Sequence, residues 1–186
     1  MSLIKHISTL ITISKDLEKE LISISKEVSV PKNTILIKDG ERCRNLFFIE
    51  KGLLRGYYYD SGKEITHWFA KEKEFATSFY SFITNEPSPE TIETLEDCQL
   101  TQITHSDLQN LYSKFPETER IGRIITETYY IDLEERILNI QFKSAKERYQ
   151  NLIEKNSSLL QRASLGQIAT YLGITQETLS RVRAEM

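Results

Sequence analysis

The first regular pattern of apolar and polar residues along the chain runs from residue 14 to residue 26. Leu17, Leu21 and Ile24 recur at the spacing of one helix face. Ser14 stands where a helix N-cap is expected, and acidic side chains follow it in the first turn, where they suit the positive end of the helix dipole. The pattern predicts an N-terminal helix.

From Val28 the apolar residues come instead in short, β-rich runs roughly ten residues apart. The runs are T-I-L-I, L-F-F-I, L-L-R-G-Y-Y-Y, E-I-T-H-W-F-A, T-I-E-T-L and Q-L-T-Q-I. Turn residues separate them, including Gly40, Gly52 and Gly62. Evenly spaced short strands of this kind predict an antiparallel roll, barrel or sandwich.

Helical spacing returns after Pro116 and continues from residue 117 to residue 142, with no proline and a single glycine. Part of the apolar pattern falls close to a heptad seam, which Glu135 interrupts. The residues of this seam are Ile121, Ile124, Thr128, Ile131, Leu138 and Phe142. A helix of this length predicts a dimerisation helix or a spine between two domains, and a single core helix is the alternative.

Ser144 and Glu147 stand at the spacing of a capping box, in which each side chain bonds a free backbone N–H at the helix start. They predict a helix that runs to about Lys155. The segment from Asn156 to Ala163 is expected to be a loop.

The last stretch, residues 164–186, has the pattern of two short helices joined by a tight turn. Ser164 and Gln167 form a further capping box, Gly173 suits the turn, and Thr175 can cap the second helix. The apolar positions that the two helices would share are Ile168, Ala169, Leu172, Leu179 and Val182. Together these features predict a helix-turn-helix.

The outward face of the second helix carries side chains that can contact base edges in the DNA major groove. These residues are Gln176, Glu177, Ser180, Arg181 and Arg183. Arginine pairs with guanine, glutamine with adenine, and glutamate accepts from the cytosine amino group. The pattern favours DNA binding, while an ordinary helical hairpin is the alternative.

Composition restricts the class of protein. A chain of 186 residues with 39% hydrophobic and 27% charged residues is expected to be globular. It has no apolar run of eighteen residues and no signal-peptide pattern at its start, so we expect a cytoplasmic protein without a membrane partner. Cys43 and Cys98 lie far apart, outside any metal or redox spacing, and are expected to be free thiols.

Charge is distributed unevenly along the chain, whose net charge is −3. Residues 143–186 hold seven basic and four acidic residues, whereas the remainder holds 17 basic and 23 acidic ones. The C-terminal part is therefore positive by three charges and the rest negative by six. A positive end on an acidic body fits a DNA-contacting domain, because phosphate neutralisation provides most non-specific affinity.

The order of these elements resembles the Crp/Fnr superfamily, which comprises the cyclic-AMP receptor and Fnr types of bacterial transcription regulator. The sharpest matches lie at 39–55 (D-G-E-R-C-R-N-L-F-F-I-E-K-G-L-L-R) and 165–181 (L-G-Q-I-A-T-Y-L-G-I-T-Q-E-T-L-S-R). The resemblance covers essentially the whole chain. It implies an α+β fold with an N-terminal jelly-roll β-roll (a double-stranded β-helix), a long central dimerisation helix and a C-terminal helix-turn-helix. In a departure from the superfamily, only residues 184–186 follow the second helix, so we expect the helix-turn-helix to lack a full wing.

The resemblance also implies domain boundaries and functional residues. The sensor domain would comprise residues 1–115, the dimerisation helix 116–143 and the DNA-binding domain 144–186. DNA would be contacted by Thr175, Gln176, Glu177, Thr178, Ser180 and Arg181, with the two threonines on phosphates. The expected dimer interface consists of Ile121, Ile124, Thr128, Ile131 and Leu138.

The chain departs from the cyclic-nucleotide binders of the superfamily in the segment that holds the cyclic phosphate. Thr77 and Ser78 replace the glycine and glutamate of the motif F-G-E-L, and residues 85–90 contain two glutamates and no arginine. A positive charge for the cyclic phosphate could then come only from an arginine in another part of the chain, such as Arg55 or Arg123. The cysteine cluster that holds an iron–sulfur centre in oxygen-sensing relatives is also missing. We therefore expect a degenerate nucleotide pocket and no cofactor.

Two other functions remain open at this stage. The β-roll could sense a small ligand other than cyclic AMP through Thr77, Ser78 and Ser88, or these three could be solvated loop residues. A cupin-type enzyme would need clustered metal ligands, but His67 and His105 stand alone, so neither enzymatic activity nor a metal is expected. The expected partners are double-stranded DNA and a second copy of the chain, with RNA polymerase and a small effector as further candidates.

Overall fold

The computed structural model describes residues 2–185, except for the side chain of Ser2. In this part of the chain, eight strands pair antiparallel into two four-stranded sheets, ordered β1-β8-β3-β6 and β2-β7-β4-β5. The strands are β1 (Lys26–Val30), β2 (Ile35–Ile37), β3 (Asn45–Lys51), β4 (Leu54–Asp60), β5 (Lys63–Ala70), β6 (Phe75–Ala76), β7 (Thr91–Thr94) and β8 (Cys98–Thr104). We refer to them together as the β-roll.

The core of the β-roll lies between its two sheets, where apolar side chains from both sheets meet. Ile49, Leu54, Ile92 and Leu100 are its most buried members. Close approach occurs at Gly52, whose φ is +116° and whose Cβ, if present, would lie 2.4 Å from Cys98 Sγ. The six strands that the sequence predicts are confirmed.

Nine helices within residues 2–185 surround or extend the β-roll. They are α1 (Ser2–Leu10), α2 (Lys15–Ile24), α3 (Phe79–Thr84), α4 (His105–Lys114), α5 (Glu117–Phe142), α6 (Ala145–Asn156), α7 (Leu159–Arg162), α8 (Leu165–Tyr171) and α9 (Gln176–Ala184). No helix within those residues is long and apolar enough to cross a membrane. The expected α+β fold is confirmed.

The N-terminal helices pack on the outside of one sheet. Leu3 and Ile7 of α1 and Leu17 and Leu21 of α2 are buried in one cluster with Phe48 of β3. Ser14 caps α2 as predicted, with its Oγ accepting from Leu17 N at 3.1 Å. The predicted end of this helix is wrong, because the backbone becomes extended at residue 25 and β1 follows directly.

Helix α5 has the bounds that the sequence predicts, but its heptad seam divides into two parts. Ile121 is 7% exposed and packs against the N-terminal helices and the β-roll of its own chain, and Ile124 is half-buried there. Ile131 and Leu138, by contrast, are 55% and 49% exposed. The Ile121 side chain therefore already lies inside the core of one chain and leaves little surface for a partner, while the dimer interface itself stays a prediction.

Helices α6 to α9 form a second compact unit at the far end of α5. The capping box of α6 is confirmed, since Ser144 N donates to Glu147 Oε2 at 2.8 Å and Glu147 N donates to Ser144 Oγ at 3.3 Å. The predicted loop from Asn156 to Ala163 is only partly correct. Its middle forms the short helix α7, which buries Leu159 in the core of this unit.

Candidate nucleic-acid interface and ligand cavity

The two helices of the helix-turn-helix begin and end where local side chains satisfy the backbone. Ser164 N donates to Gln167 Oε1 at 2.9 Å, and Gln167 N donates to Ser164 Oγ at 3.2 Å. Gly173 in the turn has a φ of +66°. Thr175 Oγ1 accepts from Thr178 N at 3.1 Å and so caps α9. The predicted capping of both helices is confirmed.

The predicted shared core of α8 and α9 is also confirmed. All five of its residues are buried, and Ala169 lies where the two helices approach each other. These residues are Ile168, Ala169, Leu172, Leu179 and Val182. Because this core fixes the two helices relative to each other, the outer face of α9 is presented as one rigid surface.

That outer face brings the predicted DNA-contacting residues together. Gln176, Glu177, Ser180 and Arg181 are exposed, and within residues 2–185 none of their side chains has an ion-pair or hydrogen-bond partner. Thr175 and Thr178 lie at the helix start, where their hydroxyls are 3.1 Å apart. The free backbone N–H groups of a helix start favour an anion such as a phosphate.

Two arginines bind the C-terminal end of α8, and neither contact could be predicted from the sequence. Arg136 Nη1 of α5 donates to Tyr171 O at 2.8 Å, and Arg148 Nη1 of α6 donates to Leu172 O at 2.6 Å. The Arg136 guanidinium also stacks on the Tyr171 ring, 4.4 Å from its centre. Cations suit the negative end of a helix dipole, so both arginines stabilise the junction between α5, α6 and α8.

The helix-turn-helix unit is joined to the β-roll by polar and apolar contacts. Thr66 N of β5 donates to Thr170 Oγ1 of α8 at 3.2 Å, and the rings of Phe69 and Tyr171 lie 5.1 Å apart. Leu53 and Leu95 of the β-roll side are buried in the same cluster as the helix-turn-helix core. The two units therefore share an apolar core.

An ion-pair network closes one edge of the same junction. Arg162 of α7 donates to Glu72 through two nitrogen atoms and also to Glu96. Burial alone would raise the pKa of Glu72. Hydrogen bonds from Arg162 and from Gly52 N outweigh that effect and hold its pKa at about 2.

A cavity of about 620 Å³ lies where β5, α5 and the helix-turn-helix unit meet. Aromatic side chains form much of its wall, among them Tyr58, Trp68 and Tyr129. The Trp68 ring occupies space left free by Gly56, because a Cβ at Gly56 would lie 2.2 Å from its Cε2 atom. The volume of the cavity falls in the range of small-molecule sites, roughly 300–1,000 Å³.

The titratable groups of the cavity wall are perturbed by burial. Glu90 is 5% exposed and accepts from Trp68 Nε1 at 2.9 Å. Burial raises the pKa of Glu90 to about 7, although hydrogen bonds from Trp68 and Ser78 oppose the rise. Burial and the nearby Arg136 charge lower the pKa of His67 to about 4, so its imidazole is neutral at pH 7.

The three hydroxyl residues predicted to bind a ligand are enclosed in the fold. Thr77 Oγ1 donates to Asn45 O at 3.0 Å, and Ser88 Oγ lies 2.9 Å from Ser78 Oγ and 2.7 Å from Glu90 O. All three are buried, so the alternative of solvated loop residues is wrong. Thr77 lines the cavity, whereas Ser78 and Ser88 do not, because their hydroxyls bond each other inside the protein.

The arginines that could have replaced the missing phosphate-binding arginine are already paired. Arg55 is buried, with Nε 2.8 Å from Glu93 Oε1 and Nη2 2.5 Å from Glu64 Oε2. Arg123 lies on the surface of α5 and pairs with Glu127 at 2.7 Å.

The histidines and cysteines of the described chain do not form a metal site. No group of three or more histidine, cysteine, aspartate or glutamate side chains converges as metal ligands within residues 2–185. His67 and His105 each pack on an aromatic ring instead. Cys43 and Cys98 are buried free thiols, as predicted, and burial raises the pKa of Cys98 to about 11.

Comparison with known proteins agrees with this architecture. Residues 27–115 match the family model described as the cyclic nucleotide-binding domain. The chain is 26% identical over 172 residues to the fumarate and nitrate reduction regulatory protein of Vibrio cholerae, covering 86% of this chain and 68% of that protein. It is 25% identical over 172 residues to the anaerobic regulatory protein of Haemophilus influenzae, with coverages of 86% and 66%. The chain thus spans about two thirds of these relatives.

Solved structures share the whole arrangement of β-roll, long helix and helix-turn-helix. FixK2 from Bradyrhizobium japonicum superposes with a TM-score of 0.76 at 20% identity, over 87% of this chain and 84% of that one. A protein of Eubacterium rectale assigned to the Crp/Fnr family gives 0.74 at 22% identity, over 93% and 83%.

Residues 27–115 therefore match a cyclic nucleotide-binding domain in sequence. Over most of its length the chain is similar in sequence to the regulatory proteins of Vibrio cholerae and Haemophilus influenzae and similar in fold to a protein of the Crp/Fnr family.

Proposed function

We propose that this chain is a sequence-specific transcription regulator that reads double-stranded DNA through the outer face of α9. The observation that carries this proposal is the set of unpartnered polar side chains on a rigidly packed helix. Gln176, Glu177 and Arg181 are exposed without a protein partner among residues 2–185, whereas Leu179 and Val182 anchor the opposite face.

Each polar residue of α9 has a role that follows from its chemistry. Arg181 is suited to the two acceptors of a guanine, Gln176 to adenine and Glu177 to the cytosine amino group. Thr175 and Thr178 flank the free N–H groups at the helix start and would contact a phosphate, with Ser180 beside them.

We infer that the regulator acts as a homodimer through the free side of α5. Ile131 and Leu138 are seven residues apart, share one helix face and are about half exposed. Thr128 is exposed on the same helix. A two-fold dimer would present two copies of α9 to half-sites about 34 Å apart. The parts would then be a sensor (1–115), a dimerisation helix (116–143) and a DNA-binding domain (144–186), with RNA polymerase as a further candidate partner.

We further infer that the nucleotide pocket is degenerate. The hydroxyls of Ser78 and Ser88 bond each other, and Glu90 lies beside them. Arg55 is held by two carboxylates. A buried phosphate without a cation would lose its hydration without compensation, at a cost of several kcal/mol.

A second candidate function keeps the fold and makes the sensor domain a receptor for a small ligand other than cyclic AMP. The cavity favours it, because its wall combines residues of the β-roll, of α5 and of the helix-turn-helix unit. A ligand bound there would contact all three parts at once.

The deciding experiment is selection of genomic fragments by the purified chain, followed by fluorescence-anisotropy titration of the selected site and a scrambled site. We expect a two-fold symmetric site bound at least about 1,000-fold more tightly than the scrambled one at physiological salt. Equal affinity for both sequences would contradict sequence-specific reading. Repeating the titration with added cell metabolites separates a constitutive regulator from a ligand-dependent one.

A further inference from the structure

Glu90 is the only acidic side chain that is buried among residues 2–185. It immediately precedes β7, and its carboxyl group accepts from Trp68 Nε1 of β5 at 2.9 Å and from the Ser78 hydroxyl. No lysine, arginine or histidine of the described chain lies at ion-pair distance from it. A buried carboxylate without a cation is costly, so this environment favours the neutral acid.

The charges on the elements around Glu90 do not offset that cost. Burial raises the pKa of Glu90, and the rise is opposed only by hydrogen bonds from the neutral groups of Trp68 and Ser78. The β-roll side of the cavity wall carries Tyr58, His67, Lys71 and Glu74, and the helical side carries Asp132, Glu135, Arg136, Arg148 and Lys155. The turn that bonds the Ser88 backbone carries the exposed residues Lys38, Asp39, Glu41 and Arg42. Ionisation of Glu90 therefore places an anion in the fold with no cation paired to it.

The Trp68 ring is confined on one side and free to move on the other. It packs directly on the backbone of β4, in the space that Gly56 leaves open. It also borders the cavity, as Glu90 does. A movement that brings water to the Glu90 carboxylate must therefore carry the ring toward the cavity.

Trp68 belongs to a strand whose pairing is irregular at this point. β5 is the edge strand of its sheet. Trp68 lies opposite Gly56 and Thr66 opposite Tyr57, so His67 is an extra residue without a partner in β4. An extra residue of this kind is a β-bulge, which locally disrupts the ladder of hydrogen bonds. The segment around Trp68 is therefore held less firmly than a regular central strand.

The same segment of β5 holds the helix-turn-helix unit. Thr66 N donates to Thr170 Oγ1 of α8 at 3.2 Å, and the Thr170 hydroxyl lies 3.1 Å from Thr66 Oγ1. On the other side of Trp68, the ring of Phe69 lies 5.1 Å from that of Tyr171. Trp68 thus lies between the two positions at which β5 contacts α8.

We propose that the proton on Glu90 controls the attachment of α8 to β5: the neutral acid keeps Trp68 in place and α8 docked, and the carboxylate releases both. When the proton passes to solvent, the buried anion is relieved by movement of Trp68 toward the cavity and entry of water. Because α8 and α9 share one core, release of α8 frees the orientation of α9 as well. Only the effect on DNA affinity rests on the proposed function, since docking itself requires no DNA.

The direction of the pH dependence follows from the environment of Glu90. Its pKa is about 7 in the docked protein and 4.5 where water surrounds the carboxyl group. Docking is therefore strongest below pH 4.5 and weakens as the pH rises to about 7. Within that range one proton is released with each undocking event, so docking should weaken about tenfold per pH unit and then level off.

Two N–H groups of the unmodified chain report this equilibrium. The indole N–H of Trp68, the sole tryptophan of the sequence, donates to Glu90, and the backbone N–H of Thr66 donates to Thr170 of α8. Hydrogen–deuterium exchange of both groups, followed by NMR and corrected for the intrinsic rate at each pH, measures how often each bond opens.

We expect the protection of both N–H groups to fall together, about tenfold per pH unit between pH 4.5 and about 7. Amides of β8, a central strand of the other sheet, should stay more protected than Thr66 throughout, because undocking leaves that sheet intact. Loss of protection at Trp68 without loss at Thr66 would show that Glu90 titrates without controlling α8. Constant protection at Trp68, or a Thr66 amide as protected as β8 at every pH, would equally overturn the proposal.

Glu90→Gln and Glu86→Gln form a matched pair of variants. Glu90→Gln keeps the shape of the neutral acid and removes the titration, so protection of Thr66 should no longer depend on pH. Glu86→Gln removes an exposed carboxylate from the same loop and should keep the wild-type slope. A wild-type slope in Glu90→Gln would assign the effect to another group. If that variant does not fold, agreement between Trp68 and Thr66 in the wild type decides.

The DNA titration is read separately from the exchange measurement. Absence of sequence-specific binding at every pH would refute the proposed function and leave the docking result standing. Sequence-specific binding together with pH-independent protection of Thr66 would refute control by Glu90 alone.

Discussion

Arg162 and Glu72 form a bidentate ion pair, with two parallel hydrogen bonds, across the junction of the β-roll and the helix-turn-helix unit. Arg162 Nη1 lies 3.0 Å from Glu72 Oε2, and Nη2 lies 2.8 Å from Oε1. Glu96 binds the same guanidinium from the other side. Because α7 immediately precedes α8, this pair fixes the start of the helix-turn-helix to the sensor domain.

Removing this ion pair should lower the stability of the folded protein slightly. We expect Arg162→Gln to lower the free energy of unfolding by about 1 kcal/mol, the upper range for a partly exposed pair. Urea unfolding followed by circular dichroism measures the change. Arg120→Gln, at an exposed position of α5 away from the junction, is the control and should leave the midpoint in place. Equal midpoints for all three proteins would show that the pair contributes nothing.

Acid should weaken the same junction within a defined pH range. The pKa of Glu72 falls from 4.5 to about 2 on folding, so its ionised form contributes stability above pH 4.5. That contribution is lost as the pH falls from 4.5 through about 2. Unfolding midpoints of wild type and Arg162→Gln, measured from pH 5 to pH 2, should therefore converge at the acid end. A constant difference across the range would contradict this.

Glu90 should give the opposite pH dependence. Its pKa rises from 4.5 to about 7 on folding, so the folded protein holds the proton more tightly. The associated stability is fully present below pH 4.5 and is lost as the pH rises through about 7, with a slope of at most about 1.4 kcal/mol per pH unit. Glu90→Gln keeps an acceptor for Trp68 and should flatten the profile between pH 4.5 and 7. An unchanged slope would show that a group other than Glu90 causes the pH dependence of stability.

On α9, Arg181 should contribute to sequence preference rather than to general affinity. We expect Arg181→Ala to cost about 1–3 kcal/mol on the selected site and to relax one base position. Arg183→Ala, on the same exposed helix, serves as the comparison and should weaken specific and scrambled DNA alike. If Arg181→Ala behaves like that comparison variant, Arg181 contacts phosphate and not a base.

Charged residues in the exposed part of the α5 seam should dissociate the dimer. Ile131→Lys together with Leu138→Lys would bring like charges into an apolar interface. Sedimentation velocity should then give the mass of one chain, and affinity for a two-fold site should fall to that of a half-site. Both positions are exposed in the single chain, so its circular dichroism should not change. A dimeric mass in the double variant would exclude this face.

Much of the fold follows from local signals in the sequence. The bounds of α5 agree with the prediction, because Pro116 precedes the helix and no breaker interrupts it. The capped starts of α6, α8 and α9 each depend on residues three positions apart, such as Ser164 and Gln167. The strands could also be predicted from local signals, because turns that contain glycine separate them.

Helix α4 was missed although Thr104 caps it and Asp107 lies in its first turn. Helices α1 and α7, which were also missed, lack such signals. Within the described residues, α1 has no acidic side chain in its first turn and no basic one in its last, and it is held by Leu3 and Ile7 packing on distant strands. Helix α7 is a single turn held by Leu159. Their stability comes from tertiary burial, which hydrophobic spacing over so few residues does not reveal.

The candidate sites also divide into those with a local sequence signal and those formed by residues far apart in the chain. The outer face of α9 could be proposed from the sequence, because its six residues fall within seven consecutive positions. The contacts of Arg136 could not be, since it meets Tyr171 across 35 positions and Thr66 across 70. The hydrogen bond between Ser78 and Ser88 likewise depends on segments that meet only in the fold.

Leu53 and Leu95 belong to the β-roll side of the chain, yet they complete the apolar core of the helix-turn-helix unit. The helix-turn-helix unit is therefore not a self-sufficient module on a linker. A chimera that joins these helices to the β-roll of a related protein would leave a gap in that core unless the recipient provides side chains of matching size. If the proposed function holds, a new binding specificity is reached by substitutions on the surface of α9 rather than by exchange of whole domains.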